Sequence, residues 1–390
     1  MQIKITYFYI IILVITMLKK KINLDKTLII YVSIFAIISL ISIYSASMYL
    51  SKTLGNLVLK QAMWYAVGII FIFIIYKLKI SFFIKISPYI YLFNVILLLG
   101  LLFVGPVING SRCWYIIEGI GSFQPSEFMK ISLVLIEAYI IDKFSSKEKN
   151  AKNEFKLIAL IFIAFLIPSI LTFLEPDTGA VIIYFIITLL MLFISGIRLR
   201  WFIIGISMLI IIVASFLIFF FLKQDMFIKI FGSDFFYRID RVINWQNGSG
   251  MQLENSLAAI GSSGILGHGF NKTPLYFPEA GTDFIFSVYA SNFGLIGSCI
   301  FILLVVLFDI HLIKVGMSSK SIYKYIISGI LGIFIYQQIQ NISMTLGLLP
   351  ITGITLPFIS YGGSSLLSYM ILIGFVISIY NEKELDKNNI

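Results

Sequence analysis

Four short polar clusters interrupt an otherwise apolar chain, and each holds residue types that could do chemistry. In the first, Gln124-Pro125-Ser126-Glu127 is followed by Lys130. Pro125 and Ser126 suit the first turn of a helix, where a proline gives up no needed donor and a serine can cap. Glu127 and Lys130 then share one face and can neutralise each other. They either lock two helices together as a buried ion pair or line a polar cavity. The second cluster, Glu175-Pro176-Asp177-Thr178-Gly179, makes a tight turn from its Pro, Asp and Gly alone. Two carboxylates in so short a link could also attract a divalent cation or a sugar hydroxyl.

The third cluster runs from Phe277 through Pro278, Glu279, Ala280, Gly281 and Thr282 to Asp283, where an apolar run begins. A carboxylate partly desolvated at that junction has a raised pKa, which suits a general base. The competing reading is a helix N-cap made by Thr282 or Asp283. The fourth cluster is Gly347 to Gly353, followed by Pro357-Phe358-Ile359-Ser360-Tyr361-Gly362-Gly363-Ser364-Ser365. Its hydroxyls and free amides could hold a phosphate or a sugar, and its small residues equally suit close helix packing.

The elements that must position these clusters follow from composition. Hydrophobic residues make up 59% of the 390-residue chain and charged residues 12%, about half the charge of a soluble globular protein. With a mean hydropathy of +0.99, the chain has too little polar surface to cover itself in water, so a soluble enzyme and a disordered chain are both excluded. The fold class expected is all-α, a polytopic membrane protein. Apolar runs predict ten spans, near 27–49, 57–77, 83–104, 126–143, 157–174, 179–197, 201–222, 284–308, 323–345 and 357–380. They should be helices, because lipid offers no partner to exposed backbone and barrel strands would be shorter and alternate in polarity.

Basic residues set the orientation. Of the 29 lysines and arginines, 19 fall in one set of connections if the N-terminus faces the cytoplasm, including Lys19 to Lys21, Lys143 to Lys156, Arg198, Arg200 and Lys383. The positive-inside bias therefore puts both termini in the cytoplasm and makes 105–125, 223–283 and 346–356 extracytoplasmic. It also accounts for the net charge of +10, so no nucleic-acid partner is implied. Residues 1–21 read as an extension, in which Ile5–Leu18 is short for a span and a start at Met17 would leave a compact basic N-terminus. The 61-residue stretch 223–283, between spans seven and eight, is the one long connection, and long loops in compact proteins are usually functional. Near 251–260 it could form an amphipathic helix on the membrane surface. Cys113 and Cys299 lie too far apart in sequence to suggest a disulfide framework, and two histidines, His268 and His311, make a histidine-based catalytic or zinc site improbable.

With these residues in view, the chain resembles the SEDS family of bacterial cell-wall proteins over roughly residues 22–382. The blocks that carry the resemblance are Asn109 to Trp114, Phe123 to Glu127 with Lys130, Pro176 to Gly179, Ala259 to Gly264, Pro278 to Phe286, and Leu349 to Ser365. Residues 383–390 would be a cytoplasmic tail. The resemblance implies a peptidoglycan glycosyltransferase of the bacterial cytoplasmic membrane, which polymerises lipid II, an undecaprenyl-diphosphate-linked disaccharide-pentapeptide, on the outer face. The family's essential carboxylate maps onto Asp283, the expected general base. The implied substrate-binding residues are Arg112, Trp114, Gln124, Ser126, Glu127, Lys130, Asp177, Glu279 and the run Ser360, Tyr361, Gly362, Gly363, Ser364 and Ser365. Arg238 and Arg241 join them by charge and by side of the membrane. A basic residue or a divalent cation (Mg or Mn) would assist the leaving diphosphate. The implied partners are lipid II, a class B penicillin-binding protein transpeptidase and the surrounding membrane lipids.

Three departures from the family pattern stand out: Cys113 intervenes between Arg112 and Trp114, Gly281 replaces a histidine, and Ser291-Asn292 replaces a pair of glutamates. Gly248 to Gln252 and the short Lys272–Phe277 segment lean towards the RodA-like branch. Two other readings stay open, a lipid II flippase and a non-catalytic scaffold for a transpeptidase. A transporter keeps its key charges near the bilayer midplane, whereas Glu127, Glu175, Asp177, Glu279 and Asp283 fall near the outer face in this topology.

Overall fold

Long apolar runs with no external hydrogen-bond partner satisfy their backbone internally, and the chain accordingly folds as a helix bundle. The computed structural model describes residues 24–47, 57–108, 110–117, 121–243 and 250–388. The expectations for residues 1–21 and for a start at Met17 fall outside these residues. The helices are α1 (Lys26–Ser47), α2 (Leu57–Leu78), α3 (Ile80–Lys85), α4 (Ser87–Val104), α5 (Pro125–Ser145), α6 (Ala151–Leu174) and α7 (Thr178–Ile194). They continue with α8 (Leu199–Leu222), α9 (Gln224–Phe231), α10 (Ser233–Ile243), α11 (Gly250–Ser262), α12 (Ile285–Met317), α13 (Ser321–Thr345) and α14 (Gly363–Asn388).

Eight helices among the described residues are long and apolar enough to cross a membrane: α1, α2, α4, α6, α8, α12, α13 and α14. The segments expected as the other two spans form the helices α5 and α7, which fall short of that length or apolarity. Helix α5 carries Glu127, Lys130, Glu137, Asp142 and Lys143, and α7 has only 17 residues. Helix α5 tolerates its charges because it lies largely inside the bundle, whereas α7 buries one face and leaves Ile182, Phe185 and Phe193 exposed. Helix α5 packs on α4, α6, α7 and α13, and α7 also packs on α13. Helices α2 and α14 approach closely where Gly68 faces Met370 and Gly374 faces Ile75, so that a Cβ on either glycine would overlap its neighbour. Helix α8 is the opposite case, with Phe220 its one buried residue.

Three elements differ in detail from the sequence expectation. The 105–125 segment holds a two-stranded antiparallel hairpin, β1 (Tyr115–Ile117) with β2 (Gly121–Phe123), paired Tyr115 to Phe123. Stretch 223–283 is largely helical, through α9, α10 and α11. Helix α11 covers the expected 251–260 region and buries Leu253, Ser256 and Ala259. It packs on α12, where Ser256 Oγ lies 2.6 Å from Ser287 Oγ. Helix α14 continues to Asn388, so residues 383–388 prolong the last helix.

Helix α12 is broken at Gly294 (φ 64°, ψ −160°). The segment 264–269 fills the break. The amides of Leu295 and Ile296 donate to the carbonyls of Gly264 and Ile265, and those of His268 and Gly269 donate to Ser291 and Asn292. Gly267 and Gly294 lie so close that a Cβ on either would come within 2.3 Å of backbone on the other strand. Asn292, at the position of the departure noted above, is buried and donates to Ser45 Oγ on α1 at 2.7 Å.

Candidate active site

Four helices start at one end of the bundle, and hydrogen bonds between their first turns hold them together. The amide of Gln124, which precedes α5, donates to Ser364 Oγ at the start of α14 (3.0 Å). Ser126 Oγ donates to Asp177 Oδ2 at the start of α7 (3.0 Å). The Tyr361 amide, before α14, donates to the Gly281 carbonyl, before α12 (2.8 Å). The end of a helix that bears free amides is electropositive, so this rim suits an anionic ligand.

Asp177 serves two purposes. Its Oδ1 caps α7 by accepting from the Ala180 amide (3.0 Å), and its Oδ2 accepts from Gln124 Nε2 (3.1 Å) as well as Ser126. Burial pushes its carboxyl above the usual range, against the lowering effect of the Ala180 amide and Ser126. Lys130 is fully buried and lies 2.6 Å from Glu127 Oε2. Its ammonium also stands over the Tyr369 ring at 5.2 Å. Glu127 stays half-buried and accepts a hydrogen bond from Ser368 Oγ at 3.1 Å. The pair is thus buried on the lysine side and open on the glutamate side. Glu175, two residues before Asp177, is completely buried and packs over Cys113, whose thiol donates to the Glu175 carbonyl at 3.2 Å.

Asp283 does not cap a helix. The N-cap of α12 is Phe284, without a side-chain bond, and Thr282 Oγ1 donates instead to Glu279 Oε2 at 2.7 Å. The backbone of Asp283 is held by Asn341 Nδ2, which donates to its carbonyl (2.8 Å) and to that of Ile354 (2.7 Å). The carboxylate faces Gly353, where a Cβ would stand 3.6 Å from Oδ2. Burial, and next the charge of Glu279, raise the Asp283 carboxyl from 3.8 to about 7, with no hydrogen bond or cation to oppose them. A half-buried carboxylate with free lone pairs and a pKa near neutrality is suited to accept a proton.

The fourth cluster joins the other three. Ser360 Oγ donates to the Thr282 carbonyl (2.6 Å) and accepts from the Leu356 amide (2.8 Å). Gly179 abuts Thr352 and Ile354 tightly, and Gly363 lies against Trp64, where a Cβ would overlap the ring. Ser365 is buried, while Tyr361, Gly362 and Ser364 are half-buried on the rim. Glu279 is exposed, with a left-handed backbone (φ 55°). Arg112 is exposed and donates to the Leu102 carbonyl at 2.9 Å, while Cys113 takes the buried position and Trp114 is half-buried. Arg238 and Arg241 lie on α10, and their side chains fall outside the described residues.

Several polar residues inside spans were not anticipated. Gln61 Nε2 donates to the Ser360 carbonyl (3.1 Å), Tyr65 donates to the Phe358 carbonyl (2.6 Å), and Tyr369 OH accepts from Gln337 (2.9 Å). Their signal was available, since amides in apolar runs are rare unless they bond across helices. Among the described residues no three carboxylate, histidine or thiol groups gather as metal ligands.

An all-helical membrane bundle with a polar, carboxylate-bearing rim is the class of protein these features define. A family model described as cell cycle protein, for FtsW, RodA and SpoVE, matches residues 25–385. The chain belongs to that family. The probable peptidoglycan glycosyltransferase FtsW of Buchnera aphidicola subsp. Baizongia pistaciae is 34% identical over 348 residues, covering 85% of both chains. The peptidoglycan glycosyltransferase MrdB of Escherichia coli (strain K12) is 30% identical over 379 residues, covering 94% of this chain and 95% of its own. A chain solved in a study of how a peptidoglycan synthase complex coordinates polymerization and crosslinking shares the fold. It has a TM-score of 0.76 at 24% identity and covers 93% of this chain and 98% of that one.

Proposed function

We propose that this chain is a peptidoglycan glycosyltransferase of the bacterial cytoplasmic membrane, which polymerises lipid II on the outer face with both of its own termini in the cytoplasm. The observation that carries this is Asp283, a half-buried carboxylate with no donor to its side chain among the described residues and a pKa raised to about 7. Asp283 takes the proton from the 4-hydroxyl of the acceptor GlcNAc. That oxygen attacks the anomeric carbon of the donor MurNAc, the bond from this carbon to the diphosphate oxygen breaks, and undecaprenyl diphosphate leaves with the electron pair. The helix N-termini around Gln124, Asp177 and Ser364 favour the negative charge on the diphosphate. Lys130 is buried and already neutralised by Glu127, so its part is to hold the rim in shape.

Partnership with a class B penicillin-binding protein transpeptidase fits the same reading, since the exposed apolar faces of the bundle leave room for a single-pass helix. The deciding experiment incubates the purified chain with labelled lipid II and resolves glycan strands on a gel. Asp283→Asn and Asp283→Ala should abolish polymer while leaving the melting temperature unchanged. Full activity in either variant overturns the assignment. A wild-type chain that makes no polymer but moves lipid II across vesicles supports transport instead.

A further inference from the structure

At the other end of the bundle, where α5 and α7 finish and α6 begins, a small cavity of about 50 Å³, half open to solvent, lies between the α5–α6 and α7–α8 links. Lys147, Glu148 and Lys149 line it from the first link, Ser195 from the second and Glu154 from α6. Glu154 is 5% exposed. Its Oε2 accepts from Arg198 Nε (2.7 Å) and Trp201 Nε1 (2.8 Å), with Arg200 at 3.8 Å. Its Oε1 is buried and makes no well-formed hydrogen bond among the described residues, although the Arg198 amide also approaches the carboxylate. A buried carboxylate oxygen without a donor costs stability, and the cost is recovered when a ligand supplies one. Arg198 already neutralises the charge, so the missing donor is a neutral one, such as a hydroxyl.

The lysines ask for the other half of a ligand. The Lys149 ammonium stands 3.5 Å from where a Cβ on Gly196 would lie, and the Lys147 ammonium sits over the Phe144 ring at 3.9 Å. Neither has a carboxylate at ion-pair distance among the described residues. At and beside the cavity, Lys147, Lys149, Arg198 and Arg200 face Glu148, Glu154 and, beside Tyr325, Asp142, four cations against three carboxylates. The site therefore suits an anion. The surface that borders the cavity on the α7–α8 side is apolar, with Phe193, Ile194 and Leu199 all exposed beside that link, and α8 continues it along its length. A soluble phosphate ester has no use for such a surface, whereas acyl chains do.

We infer that this cavity holds the headgroup of an anionic phospholipid bearing a free hydroxyl, a phosphoglycerol. Its phosphate lies between Lys147 and Lys149 and its hydroxyl donates to Glu154 Oε1. In the orientation proposed above, this basic end lies at the cytoplasmic leaflet, where such headgroups are found. The site is separate from the reaction at Asp283, so its failure would not touch that reading.

Native mass spectrometry of the full chain, released from detergent in the presence of phosphatidylglycerol, phosphatidylethanolamine or phosphatidylcholine, tests the assignment. Phosphatidylglycerol should be retained about tenfold better than phosphatidylcholine, and the preference should disappear in Lys147→Ala/Lys149→Ala with an unchanged melting temperature. A preference that survives the double variant, or none in the wild type, overturns the site. Phosphatidylethanolamine bound as well as phosphatidylglycerol overturns the hydroxyl assignment. Glycerol 3-phosphate that displaces phosphatidylglycerol at comparable concentration overturns a lipid source.

Discussion

Replacing Glu175 by glutamine should remove one distinct part of the pH dependence of this protein's stability near neutrality, the part set by its own proton. Glu175 is 0% exposed, and neither carboxylate oxygen has a donor among the described residues. Burial first, and the charge of Asp177 second, raise its carboxyl from 4.5 to about 8. Between those values the folded chain keeps a proton that the unfolded chain has lost. Stability therefore declines as pH rises through this window and levels off above about 8. At about 1.4 kcal/mol per tenfold change in proton affinity, the decline between pH 6 and pH 8 is roughly 2 kcal/mol. For a chain of this size that is a melting-temperature drop of roughly 3 °C. Glutamine keeps the shape and stays neutral, so Glu175→Gln should match the wild type at pH 6 and exceed it at pH 8. Thermal unfolding of both proteins in detergent, followed by intrinsic fluorescence across this range, measures the difference. Parallel slopes refute the reasoning, as does a large loss in the variant at pH 6, which would mean that the carboxylate is ionised and bonded.

Polymerisation should rise with pH through about 7, because Asp283 must lose its proton to act as base. Glu279→Gln should move that inflection lower by removing the charge that helps to hold the proton, and an inflection of kcat/KM that stays put counts against the assignment. Lys130→Ala leaves Glu127 without its cation and should cost about 3–5 kcal/mol. Lys130→Met combined with Glu127→Gln should restore the melting temperature without restoring activity. Gly267→Ala introduces a Cβ 2.3 Å from the Asn292 carbonyl oxygen at a φ of 82°, and it should expose residues 262–284 to protease in outward-facing vesicles; unchanged protection would contradict the close fit described here.

The spans are legible in the sequence because lipid turns a continuous apolar run into a helix with few alternatives. Helix α5 is legible as a span despite its five charged residues, since its charges bracket an apolar middle from Ile131 to Ile136. What a local pattern cannot encode is the long-range pairing that makes the site. Gln61 is visible as an amide in an apolar run, yet its partner Ser360 lies 299 residues further along. The sequence leaves Asp283 open between base and cap. The structure removes the cap reading, because the N-cap is Phe284, one residue of register further on. The break at Gly294 is equally hidden, because a lone glycine in an apolar helix is ordinarily tolerated.

That break bears on how the chain is made. Helix α12 cannot enter the bilayer as a finished rod, since the backbone at its interruption is completed by amides and carbonyls of residues 264–269. Those residues precede α12 in the chain, so synthesis delivers the complement before the gap that needs it. A ribosome moving in the reverse sense would expose an unsatisfied membrane segment for the time needed to translate the loop. The order of the genetic message thus protects the helix that carries Asp283 at its head.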